Sequence, residues 1–206
     1  MTDHFALLQE PRRPWIDPET LKVKFLALAT EAHPDRTHNA TEPEKQTANQ
    51  RYADLNAAYR CLREPKERLL HLLELERGSK PEEVQKISPA TMDLFLEVSR
   101  LCREADAFLA EKVQTTSPLL KVRLFEKAMA LTDKLNPLQQ EITGRRDALT
   151  EQMKYLNLAW ESAPPVGSPA RVHVLPCSRL EHIYRDFSYL TRWFQQIQER
   201  IVQLSI

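Results

Sequence analysis

The chain has 206 residues, 42% of them hydrophobic and 28% charged, and its formal net charge is zero. That balance belongs to a folded protein rather than a disordered one, and it leaves no net field to steer the molecule to DNA, RNA or anionic lipid. No apolar run approaches the roughly 20 residues that span a bilayer. In chain order, Asp3 caps a first short helix to Leu8, with Phe5 and Leu8 one turn apart for docking. Pro11 to Trp15 is an extended connection, and Trp15 is a packing residue. Asp17 caps the next helix and Pro18 takes the first-turn position where proline is tolerated. Leu21, Phe25, Leu28, Ala29 and Ala32 put an apolar stripe on one face of that helix. The segment HPDRTHNATEP follows, and its prolines force a turn. From Glu44 to Glu64 the residues Tyr52, Leu55, Tyr59 and Leu62 mark a second stripe. Two such helices joined by a polar loop pack as an antiparallel hairpin, with His33, Pro34 and Asp35 exposed at its tip.

A His-Asp pair raises catalysis or metal binding as a reading, but no nucleophile or third ligand accompanies it, and no enzyme is expected. The tripeptide acquires meaning from its surroundings. With Asp3-His4-Phe5-Ala6-Leu7-Leu8 before it and Leu55-Asn56-Ala57-Ala58-Tyr59-Arg60-Cys61-Leu62-Arg63-Glu64-Pro65 after it, the segment resembles a J-domain. That module lets DnaJ-type co-chaperones engage DnaK-type ATPases. The resemblance implies that His33, Pro34, Asp35 and Arg36, with Lys22 and Lys24 on the preceding helix, contact the partner ATPase. Asp35 can form a charge-assisted bond to an arginine of that partner. The chain departs from the pattern in the turn before the motif, where Ala29-Thr30-Glu31-Ala32 carries no positive charge.

The next helix starts at Pro65 and stops at Gly78. Leu69, Leu70, Leu72, Leu73 and Leu75 lie on more than one of its faces, so it is expected to be covered on both sides. This leucine-rich ending is similar to that of the HscB-like co-chaperones of iron–sulfur cluster assembly. A J-domain over 1–78, a linker over 79–90 and a C-terminal three-helix bundle over 91–206 follow as expectations. Met92-Asp93-Leu94-Phe95-Leu96-Glu97 opens the first bundle helix. Ser117-Pro118 starts a second, which Asn136-Pro137 is expected to kink or split. A Pro-rich loop, 163–177, reads as a mobile insertion before the last helix, from about Ser178 to Leu204. Leu180, Ile183, Tyr184, Phe187, Leu190, Phe194, Ile197 and Ile201 form the broad apolar face of that helix, with Tyr189 and Trp193 on an adjoining face.

The resemblance implies that Phe95, Leu96 and Glu97, with Tyr189, grip an IscU-type iron–sulfur scaffold and that an HscA-type ATPase receives it. Ser99 stands where an apolar residue is common, and Arg100 and Arg103 stand where acidic residues are common. A J-domain adaptor for a different protein client is the alternative. Cys61, Cys102 and Cys177, odd in number and far apart, fit free thiols in a reducing compartment. With no signal-peptide pattern at the N-terminus, the expectation is a soluble cytoplasmic protein. No ligand spacing or N-terminal Cys-X-X-Cys pair points to a metal or cofactor.

Overall fold

The computed structural model describes residues 2–37, 41–81, 89–114 and 118–205. Its described residues are helical and contain no strand, so the all-α expectation holds. No helix among them is long and apolar enough to cross a membrane. The chain divides into two compact units, Met1–Glu82 with Thr150–Tyr184, and Glu83–Leu149 with Arg185–Ile206. The segment 82–88 of the expected linker lies outside the described residues.

In the first unit, α1 (His4–Leu7) is capped by Asp3, whose Oδ1 accepts from the Phe5 and Ala6 amides at 3.0 and 3.2 Å. Its Phe5 and the following Leu8 are wholly buried. Helix α2 (Pro18–Glu31) begins under Asp17, whose carboxylate accepts from the Thr20 amide and hydroxyl at 2.8 and 2.7 Å. Those bonds hold the Asp17 pKa below the usual carboxylate range. Leu21, Leu28 and Ala29 turn inward, and Phe25 stacks on Tyr59 of α3 (Glu42–Arg63) with ring centroids 4.2 Å apart. Helix α3 packs on α1, on α2 and on α4 (Pro65–Arg77). Gly78 closes α4 in the left-handed region, at φ 74°, as a C-terminal glycine does.

Helix α4 buries Leu69, Leu72 and Leu73 completely, together with Arg68 and His71. Arg68 donates to the Pro14 and Leu62 carbonyls at 2.8 and 2.6 Å, and burial pushes its pKa down to about 10. Burial likewise lowers His71 to about 4, so its imidazole is neutral, and its Nε2 accepts the His4 amide hydrogen at 3.1 Å. The expected cover for α4 comes from the distant segment Thr150–Tyr184. The short helix α7 (Arg171–Val174) lies against it, and Arg77 pairs with Glu181. Asn157 belongs to the same unit: its amide accepts the Trp15 N–H at 3.0 Å and donates to the Trp15 carbonyl at 2.9 Å. The loop 163–177, read from sequence as a mobile insertion, is instead anchored. Arg171 is 7% exposed and forks onto Glu76 of α4 with two 2.9 Å bonds.

The second unit is a three-helix bundle of α5 (Pro89–Gln114), α6 (Pro118–Glu161) up to Leu149, and α8 (Cys177–Ser205) from Arg185. Lys134 and Lys127 of α6 reach back to Glu104 and Glu111 of α5, a pairing that runs antiparallel. The Arg146 guanidinium of α6 lies over Phe187 and Phe194 of α8, again antiparallel given the Gln139–Gln198 contact. Leu94, Val98, Leu101, Leu135, Ile142, Leu190 and Ile197 supply the core. Of the kink or split expected at Asn136-Pro137, the split does not occur: α6 passes through Pro137 as one helix. Buried Leu131, Leu135, Leu138 and Ile142 flank the proline, and their packing offsets the missing backbone bond. In α8, Trp193, placed by sequence on the adjoining face, is buried at 4% exposure together with Phe187, while Phe194 is half-buried beneath Arg146.

Candidate functional site

Two surfaces carry the residues singled out by sequence, one in each unit. In the first, α2 ends at the Ala32 cap and the chain turns through a 3-10 segment, Pro34–Thr37. The tip is presented outward: the His33 side chain is 44% exposed and that of Asp35 90%. The Asp35 amide donates to His33 Nδ1 at 3.2 Å. With Nδ1 accepting that amide, Nε2 is the ring nitrogen left to donate to another molecule. The ring is braced edge-on by Tyr52 at 5.4 Å. Arg36 follows in the same turn. Beside the tip, Glu31, Ala32, Pro43, Glu44, Thr47, Ala48 and Arg51 line an open cleft of about 380 Å³.

The two lysines of α2 differ in their surroundings. Lys22 is exposed. The Lys24 ammonium lies 2.6 Å from the buried Glu10 carboxylate and bonds the Gln9 carbonyl at 3.2 Å. Glu10 also binds Arg13 at 3.0 Å. The outer face of α2 shows Val23 and Leu26, 65% and 52% exposed, where a purely electrostatic contact would present more cations.

In the second unit, Phe95 of α5 and Tyr189 of α8 both line a cleft of about 210 Å³, with Ser99, Arg192, Trp193 and Gln196. The Trp193 ring is 5.9 Å from Phe95 and 5.9 Å from Tyr189, so it forms an aromatic floor. Leu96 is 58% exposed on the next position of α5. Glu97 is exposed and accepts from Arg100 at 2.8 Å, a bond that raises the arginine's pKa further. Arg100 also contacts Glu104 at 3.4 Å, and Arg103 bonds the Ser99 carbonyl. Much of the Arg100 charge is therefore answered within its own helix. Of the four residues expected here, Phe95 and Tyr189 share the cleft, and Leu96 and Glu97 stand outside its lining. Sequence reasoning put Trp193 on the same helix face as Tyr189 but not among the client-binding residues, and it did not include Arg192 or Gln196. Their signal was the spacing from Tyr189, since residues three, four and seven positions on share a helix face.

Among the described residues, neither surface gathers His, Cys or carboxylate atoms at metal-ligand spacing. No family model matches the chain. The fold is similar to that of the chaperone HscB from Vibrio cholerae, at 19% identity and a TM-score of 0.62, covering 98% of this chain and 99% of that one. It is also similar to the human co-chaperone protein HscB, at 18% identity and a TM-score of 0.61, covering 100% of this chain and 83% of that one. The likeness is one of fold.

Proposed function

We propose that the chain is a co-chaperone whose HPD tip stimulates a DnaK- or HscA-type ATPase, and whose α5/α8 cleft carries an IscU-type iron–sulfur scaffold to it. The observation that carries this reading is the exposed His33-Pro34-Asp35 turn on an antiparallel hairpin, in a chain that follows the HscB fold along its length. The chemistry asked of the tip is recognition: a donor at His33 Nε2, a carboxylate at Asp35, and a proline that holds them in a turn. Binding that favours the partner's hydrolysis-competent arrangement then accelerates hydrolysis without this chain touching the nucleotide. The client cleft offers an apolar and aromatic floor with a polar rim, the composition of a protein-binding hot spot.

A J-domain adaptor for a different client is favoured by one feature, Arg192 in the lining of the cleft with Arg103 exposed on α5, which suit an acidic partner surface. Calorimetry against the IscU-type scaffold separates the two. Under the scaffold reading, binding is saturable and one-to-one, and Tyr189→Ala weakens it by about 10- to 30-fold, the loss of one aromatic anchor. Absence of binding at high concentration, with ATPase stimulation retained, would leave only the adaptor.

A further inference from the structure

Neither proposed surface uses the side chains gathered where α1, α3 and α4 meet. His4, Cys61 and His71 come from these three helices and from distant points in the sequence. Each offers one donor atom, and the three donor atoms all lie within 4.8 Å of one another. The imidazole centroids of His4 and His71 are 4.5 Å apart. His71 is 6% exposed, and His4 and Cys61 are half-buried. The second observation is at His4, whose Nδ1 is buried and has no hydrogen-bond partner. A buried polar nitrogen left unmatched is destabilising, and such atoms call for an explanation.

From this geometry we infer a binding site for a thiophilic divalent metal ion, of the Zn²⁺ or Co²⁺ class, held by His4, Cys61 and His71. One thiolate and two imidazoles are a soft-to-borderline donor set, which selects zinc, cobalt or copper over magnesium and calcium. Tetrahedral bond lengths put such donors about 3.3–3.6 Å apart, so the side chains must close by roughly 1 Å. Closing needs little: the Cys61 thiol makes only a long contact to the Glu67 carbonyl, at 3.7 Å. His71 exchanges its bond from the His4 amide for the metal, or binds through its other nitrogen. On coordination the S–H bond breaks, the proton goes to buffer and the sulfur lone pair forms the metal bond. A water completes the fourth position. The ion would fasten the short helix α1, which has only four residues, to α3 and α4.

The test is titration of the reduced full-length protein with Co²⁺, read by visible and near-ultraviolet absorption. One equivalent should give tetrahedral cobalt bands with a thiolate-to-cobalt charge-transfer band, and Zn²⁺ should bleach both. Cys61→Ser should remove the charge-transfer band, whereas Cys102→Ser and Cys177→Ser should keep it. His4→Ala should weaken binding by more than about 100-fold. Should Cys61→Ser fail to fold, alkylation of the natural chain decides: Zn²⁺ should shield Cys61 from iodoacetamide. No cobalt bands at one equivalent, bands that persist in a folded Cys61→Ser, or no shielding of Cys61 would overturn the site. The outcome is independent of ATPase stimulation and client binding.

Discussion

His33→Gln is expected to reduce stimulation of the partner ATPase to the basal rate while leaving the fold intact. The ring is 44% exposed; it accepts the Asp35 amide hydrogen, lies 3.5 Å from the Asp35 carboxylate and meets the edge of Tyr52. Changes at such exposed positions usually move stability by less than about 0.5 kcal/mol. The loss should therefore appear in steady-state hydrolysis and not in the urea unfolding midpoint. Asp35→Asn should weaken the same contact by about 10- to 100-fold, the range of a lost charge-assisted bond. Unchanged stimulation by His33→Gln would remove the co-chaperone reading in both its forms. The surface around the tip adds a second expectation. With Lys24 held by Glu10 and Val23 and Leu26 exposed, Lys22 is left as the cation of α2 directed to solvent. Raising ionic strength from about 0.05 to 0.15 M should weaken partner binding by about threefold or less. A tenfold fall would show that a wider set of charges carries the contact.

Arg171→Ala is expected to destabilise the chain by about 3–5 kcal/mol, the cost of stripping one partner from a buried ion pair. Most ion pairs here are exposed, such as Arg145–Glu141, and are worth about 0–1 kcal/mol each. Arg171–Glu76 differs because the two side chains are only 8% and 3% exposed. The guanidinium spans both carboxylate oxygens and also donates to the Pro164 carbonyl at 2.7 Å. Without it, Glu76 stays buried with Arg12, at 4.0 Å, as a distant cation. For a chain of this size the melting temperature should fall by about 6–20 °C. Arg171→Leu combined with Glu76→Gln should recover a large part, since no net buried charge remains. A fall of under about 2 °C in Arg171→Ala would show that the pair does not anchor the loop.

The helix boundaries and the HPD turn were legible in the sequence because local chemistry sets them. Asp3 and Asp17 can satisfy amides only at a helix start, Pro18 and Pro65 fit only a first turn, and Gly78 supplies the left-handed stop. Each acts within about four residues, so spacing alone reveals it. Phe95 and Tyr189 were named only because the sequence resembles the HscB-like family, since periodicity cannot join residues of two different helices. What depended on partners distant in the chain was not legible. Whether Lys24 or Lys22 faces solvent was decided by Glu10, in the connection that folds back on α2. Trp193 became the floor of the cleft because Phe95 of another helix stands opposite it. The Pro-rich loop was anchored by Glu76, on a helix assigned to the other end of the chain. The expected 1–78 module likewise sits in a unit that also contains Thr150–Tyr184. His4, Cys61 and His71 carry no ligand spacing in sequence, and only the packing of three helices brings their donor atoms together. Local backbone preferences set where helices begin and end; long-range burial chose which of their side chains meet.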